Sequence, residues 1–217
     1  TPVSTVTSIL GRIGIEYEEG LPKEAYIAAF KEEFCSEPKW VLLMLPKMML
    51  DFLMEVWENP VVEMSEERWN YVEYLKIFGF LAYRMGNSIS DEPNQIIVVD
   101  EMKDRFYFLL KSRKSQKVLS VYEEWEKIIT GYMYYYGFIE TRTLYSLFLK
   151  VSKKVVSYEE FILFIKCRSS MWAFGAILKD FTGKNEYFQY LSVENADLLL
   201  TYIREHEELP YKPVKIE

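Results

Sequence analysis

YMYYYGFIETRTLYSLFLKVSKKVVSYEEFILFIK, from Tyr132 to Lys166, is the stretch on which the fold of this chain turns. It reads as the end of an aromatic helix, a Gly-Phe-Ile turn at 137–139, and two short amphipathic helices joined by a basic turn. Leu144, Leu147, Phe148 and Val151 recur at helical spacing, and Tyr158, Phe161, Ile162 and Ile165 do so again after Lys153-Lys154. Thr141 is expected to cap the first of these helices, and Ser157-x-x-Glu160 has the form of a capping box opening the second. Apolar spacing accounts for nearly every large residue as core, and nothing in the stretch has the character of a catalytic centre.

Working outward, a helix is expected over 118–136, with Val121, Tyr122, Trp125, Ile128, Ile129, Tyr132 and Tyr136 on one side. A basic linker precedes it, Lys111-Ser112-Arg113-Lys114-Ser115-Gln116-Lys117. Downstream, Trp172–Leu178 and Glu186–Leu191 read as two strands around Asp180–Asn185, whose Gly and Asn suit a hairpin. A final helix is expected over Val193–Glu207. Three helices and a hairpin of this size make a winged-helix plan.

Toward the N-terminus, Val6, Ile9, Leu10 and Ile13 mark a short helix over 4–14, followed by an extended piece, Ile15–Leu21. Pro22 at a first helical position opens a helix with Ala25, Tyr26, Ala29, Phe30 and Phe34 on one face. Glu37-Pro38 breaks it, and Pro46 opens another with Met49, Leu50, Leu53, Val56 and Trp57 as its stripe. Ser65 is a candidate N-cap, with Glu66 and Glu67 in the first turn where they favour the helix dipole. Trp69, Val72, Leu75, Ile77 and Phe78 carry that helix to Gly79. A polar turn, Gly86–Asn94, leads to a strand at Ile96–Val99, and Asp100 is expected to cap a helix containing Phe106, Leu109 and Leu110. Phe78-Gly79-Phe80-Leu81 and Tyr136-Gly137-Phe138-Ile139 form a short echo, 58 residues apart, that fits a tandem of modules.

Helix, extended loop, Leu21-Pro22-Lys23-Glu24, helix is a pattern with a resemblance. Residues 6–34 resemble the SAP-like domain at the N-terminus of the Rho transcription terminator. The run through Trp57, the turn Tyr136-Gly137-Phe138-Ile139 and the end Glu208-Leu209-Pro210-Tyr211-Lys212-Pro213 resemble a group of bacterial proteins, mostly from Firmicutes, with no assigned activity. The resemblance implies a helical N-terminal element that binds nucleic acid in some proteins through basic residues around its second helix. Here Glu24, Glu32 and Glu33 oppose Lys23 and Lys31, which makes the copy a packing element. The expected fold class is mainly α with a small β component, a SAP-like helical N-terminus (1–60) followed by winged-helix-like modules. These are a helical module with a short strand (61–117) and a better-formed winged-helix-like module with a terminal helix (118–217).

Half of the 217 residues are apolar and 17% are aromatic, enough for a sizeable core and too many for a disordered chain. The net charge of −7 is unevenly spread. Residues 1–110 carry 10 basic and 19 acidic groups, 111–184 carry 13 and 7, and 185–217 carry 3 and 7. Cys35 and Cys167 lack the close spacing of a zinc knuckle or a redox pair, so two reduced, buried thiols are expected. The opening TPVSTVTSIL has no secretory-leader pattern. The most apolar run, Trp40–Leu50, is broken by Pro46-Lys47 well short of the ~20 residues a membrane helix needs. A cytoplasmic protein without a membrane partner is expected.

His206 is the only histidine, which removes histidine triads and multi-histidine metal sites. The acidic pairs Glu18-Glu19, Glu32-Glu33, Glu123-Glu124 and Glu159-Glu160 fall on first turns and polar faces, where neighbours point in different directions. No phosphate-binding glycine loop, GxSxG or EF-hand pattern occurs. No catalytic residue, cofactor or metal is therefore expected, and the reading is a non-enzymatic interaction or regulatory protein acting through protein contacts. The alternative is a nucleic-acid-binding regulator using the basic segment 111–154. Its candidate anion contacts are Lys111, Arg113, Lys114, Lys117, Lys150, Lys153 and Lys154. Against it, the helix that would enter a groove offers Glu159 and Glu160 at its start.

Overall fold

The computed structural model describes residues 3–12, 15, 20–59, 62, 64–84, 95–171, 174–180 and 182–205. These residues are mainly helical with a small β component, two short antiparallel sheets. The chain forms two compact units, 1–120 and 121–217.

In the first unit, α1 (Val3–Arg12), α2 (Lys23–Ser36), α3 (Pro38–Met44), α4 (Lys47–Glu58) and α5 (Glu66–Ile77) are followed by a hairpin and α6 (Asp100–Lys111). The prolines punctuate this run. Pro22 and Pro46 are N-caps with ψ 151° rather than first helical residues, and Pro38 is the first residue of α3. Each can stand at a helix start because the donor it lacks has no intrahelical partner there. α3 is buried from Trp40 through Met44, a short helix apolar on every side and therefore enclosed. That apolar run carries no helical period, which is why spacing did not reveal the helix. The expected stripe of α4 is fully buried, and Ser65 caps α5 by accepting the Arg68 N–H at 3.2 Å. Phe30, Phe34, Phe78, Phe80 and Trp57 stand in ring contact, with successive centroids 4.8, 5.4, 6.5 and 6.1 Å apart. Such contacts add about 0.5–1.5 kcal/mol each beyond burial.

The hairpin pairs β1 (Leu81–Arg84) with β2 (Gln95–Val98), Leu81 opposite Val98 and Arg84 opposite Gln95. β2 matches the expected strand. β1 has no clear alternation of its own and is a strand through its partner. Asp100 does not cap α6. Val99 is the N-cap without a side-chain bond, and Asp100 and Glu101 instead bring negative charge to the first turn.

The basic linker is helical. α7 (Arg113–Tyr136) starts one residue after α6 ends, because the Ser112 hydroxyl accepts the Ser115 N–H at 3.2 Å and serves as a cap. α7 continues into the second unit, which adds β3 (Phe138–Glu140), α8 (Thr141–Val151), α9 (Tyr158–Met171), β4 (Ala176–Lys179), β5 (Glu186–Gln189) and α10 (Ala196–Glu205). The sheet order is β3-β5-β4, antiparallel throughout, so the expected hairpin β4–β5 gains a third strand from what spacing read as a turn. Phe188, fully buried on the central strand, faces Ile139 on one side and Ile177 on the other. Trp125, Phe148, Phe161 and Phe164 complete the core, Trp125 meeting Phe148 and Phe164 edge-on at 5.6 and 5.3 Å.

Thr141 is the first residue of α8 rather than its cap. Its buried hydroxyl is bonded to the Tyr158 hydroxyl at 2.8 Å, which ties the start of α8 to the start of α9. The capping box forms as expected: Ser157 N–H to Glu160 Oε2 and Glu160 N–H to Ser157 Oγ, both 3.1 Å. Val151 ends its stripe exposed. The four-residue echo has a common geometry, since Gly79 (φ +75°) and Gly137 (φ +68°) each end a helix and lead straight into a strand. Left-handed φ at such a helix end suits glycine, which carries no Cβ. Ile13, most of 15–21, the turn 86–94, Trp172 and everything beyond Glu205 lie outside the described residues.

Candidate functional site

The second unit presents three surface features together in sequence: the outer face of α9, the turn between α8 and α9, and the β4–β5 loop. Among the described side chains of α9, Glu159, Glu160 and Lys166 are exposed, with Leu163 half-buried between them. Glu160 is also committed to the capping box. Lys166 lies 3.5 Å from Glu186 of β5. The face is therefore acidic at its start and locally neutralised at its middle.

Lys150 in the last turn of α8 and Lys153 and Lys154 in the α8–α9 turn are all exposed. Ser152 shapes it, its hydroxyl donating to the Lys154 carbonyl at 2.9 Å and accepting the Lys154 N–H at 3.3 Å. Lys153 approaches Glu124 at 3.7 Å in an exposed pair worth well under about 1 kcal/mol. Val155, 97% exposed, sits directly after these lysines.

The loop after β4 is organised by Asp180. Its carboxylate accepts the Thr182 N–H and hydroxyl, the Lys184 N–H and the Asn185 amide, at 2.8–3.1 Å. Partial desolvation works against the charge, yet the bonds from Thr182, Asn185 and Lys184 outweigh it and hold the carboxyl below its ordinary range. A depressed value means that the loop's order is present at neutral pH and is lost as pH falls through that low value. Nuclear magnetic resonance should show the Lys184 amide shift titrating with the Asp180 carboxyl, below the usual aspartate midpoint. An amide indifferent to that titration would remove Asp180 as the organiser. Between this loop and the start of α8 lies a small polar cleft of about 160 Å³, with Arg142 stacked over the Tyr158 ring at 4.9 Å and Lys179, Lys184, Glu140 and Glu186 among its lining.

The seven cations singled out in the sequence divide between the units. Lys111, Arg113, Lys114 and Lys117 belong to the first, and Lys150, Lys153 and Lys154 to the second. Lys111 is held by Glu58 at 2.5 Å and the Tyr107 hydroxyl at 2.7 Å, which raise its pKa. Arg113, Lys114 and Lys117 are exposed on the first two turns of α7, where no acidic residue accompanies them and the helix dipole is unfavourable to cations.

Two features went unread in the sequence. Arg168 of α9 is buried and forms an ion pair with Glu126 of α7, Nε to Oε1 2.8 Å, with its guanidinium over the Phe164 ring at 5.4 Å. Its position seven residues after Phe161, on the apolar side of α9, was the available signal. The second feature is an apolar cavity in the first unit. Cys35 and Cys167 are both buried thiols that form no disulfide. Among the described residues no three His, Cys, Asp or Glu side chains converge as a metal ion would require, and His206 lies outside them.

Comparison of the chain with protein-family models, with curated proteins and with solved structures found no match. No described helix is long and apolar enough to cross a membrane.

Proposed function

We propose that this protein is a non-enzymatic interaction or regulatory protein of the cytoplasm, with a winged-helix-like second unit that works through protein contacts. The order helix, strand, helix, helix, strand, strand with sheet order β3-β5-β4 supports the winged-helix reading. The observation that carries the choice of partner is the α9 face. The helix that a DNA-binding winged helix would lay in the major groove begins with Glu159 and Glu160, both exposed, and carboxylates are repelled by a phosphate-lined groove. Tyr134 and Tyr135, 84% and 63% exposed at the end of α7, offer the amphipathic aromatic surface that protein interfaces favour. The resemblance of residues 6–34 to a SAP-like element enters as packing, since Lys31 is paired with Glu101 at 3.1 Å.

The alternative, nucleic-acid binding, rests on exposed Lys150, Lys153 and Lys154 beside the same helix. Mobility shifts separate the two. The wild-type chain is expected to shift neither DNA nor RNA at ~50 mM salt. The double variant Glu159→Lys/Glu160→Gln keeps the cap, because Gln serves in a capping box, and is expected to gain at least tenfold in affinity. Wild-type binding that disappears on replacing Lys150, Lys153 and Lys154 by Ala would put the nucleic-acid reading first. Affinity capture from the source cells completes the test. A bait that retains the same proteins with Tyr134 and Tyr135 changed to Ser would remove those tyrosines as a contact surface.

A further inference from the structure

The first unit has a half-open cavity of about 590 Å³ that the contact-surface reading does not use. Its walls are apolar: Val6 and Ile9 of α1, Ile27 and Phe30 of α2, Phe78 after α5 and Met102 of α6. Protein interiors leave few voids larger than a water molecule, whereas small-molecule sites run to roughly 300–1,000 Å³ and are lined by apolar and aromatic side chains. This cavity is of the second kind. Phe30 and Phe78 are also held from behind, each stacked on Phe34 with ring planes within 20° of parallel. Those walls are pre-formed.

The rim is charged, and its arrangement narrows the ligand. Lys31 and Glu101 face each other across it at 3.1 and 3.4 Å and answer each other's charge. Arg105 and Asp104 remain. The Arg105 Nε donates to the Cys35 carbonyl, which anchors the guanidinium at the rim and, among the described residues, leaves its two terminal nitrogens as a fork. A planar fork of this kind matches a carboxylate, which it can hold with two parallel bonds. Asp104 on the same rim adds repulsion with each further negative charge, which favours a monoanion over a phosphate.

We infer that this cavity is a binding site for a small, mostly apolar, ring-bearing monocarboxylate, with its ring against Phe30 and Phe78 and its carboxylate at Arg105. The regulator would then carry its own small-molecule input, independently of which macromolecule the second unit contacts.

The test uses the full chain and 1-anilinonaphthalene-8-sulfonate, a ring-bearing monoanion, followed by fluorescence and displaced by 4-phenylbutyrate. Saturable one-to-one binding is expected, weakened at least tenfold by Ile27→Trp, which fills the cavity, and at least fivefold by Arg105→Gln. Asp104→Asn is expected to tighten it. Absence of saturable binding would overturn the inference. So would affinity unchanged by Ile27→Trp. Equal competition by a neutral ring compound such as N-phenylnaphthylamine, with Arg105→Gln binding as wild type, would overturn the carboxylate assignment. Arg105 is exposed, so Arg105→Gln stays informative should Ile27→Trp fail to fold by circular dichroism.

Discussion

Replacing Glu126 by Leu is expected to cost about 3–5 kcal/mol of folding stability, the cost of leaving one member of a buried ion pair without its counter-ion. Arg168 is 1% exposed, and its guanidinium lies 2.8 Å from the Glu126 carboxylate. Burial pulls the arginine pKa down, but from so high a starting value that the side chain keeps its proton and cannot escape by neutralising. Arg168→Met is expected to cost less, because the residue left behind can respond. Glu126 is partly exposed, and burial already pushes its carboxyl above the usual range. Without the guanidinium to pull it back, the value rises further. A raised carboxyl contributes stability that is full below the unfolded value and is lost as pH climbs through the folded value. Arg168→Met should therefore lose stability more steeply than wild type as pH rises above the ordinary carboxylate range. The double variant Glu126→Leu/Arg168→Met should return close to wild type, since two apolar side chains can replace such a pair at little cost. Urea denaturation of the four proteins at several pH values checks the set. A Glu126→Leu protein as stable as wild type at pH 7 would show that the pair is not what neutralises Arg168.

Gly175→Ala is expected to cost about 3–5 kcal/mol, by adding backbone strain of about 1–3 kcal/mol to overpacking of similar size. Gly175 has φ +144°, which L side chains rarely adopt. A Cβ there would lie 2.4 Å from the Gln189 carbonyl oxygen and 2.7 Å from the Phe188 ring. The first of these is backbone in the central strand of the sheet, and the second is a buried ring with little room to turn. Relief would have to come from moving β4 away from β5, which breaks the Ala176–Gln189 pairing. Thermal unfolding and the Phe188 ring resonances report the two consequences. Gly183→Ala is the control, because its φ is +69° but nothing lies within 4 Å of an added Cβ, so strain acts there alone.

These expectations touch features of different legibility. The capping box at 157–160, the Ser65 cap, the stripe of α4 and the β4–β5 hairpin were readable because each depends on neighbours within four residues or on a local turn. Thr141 and Asp100 were misassigned by one position, since cap-type residues also suit a first turn and only the backbone distinguishes the two. The basic segment 111–117 looked like a linker from its charge. A single serine cap was enough to make it helical.

By itself, then, the chain's order of residues determined the helical class, most element positions, the Gly79 and Gly137 helix ends and the acidic start of α9. All of these follow from short-range periodicity, propensity and capping. Tertiary structure alone decided that Phe138–Glu140 and Leu81–Arg84 are strands, because a short edge strand is defined by the partner it pairs with. It alone brought Glu126 to Arg168, 42 residues apart, and the Lys31 and Glu101 charges to one rim, 70 apart. Ion pairs and cavities are made by side chains that no local spacing relates. For that reason the two features most open to experiment, the buried pair and the apolar cavity, had to wait for the fold.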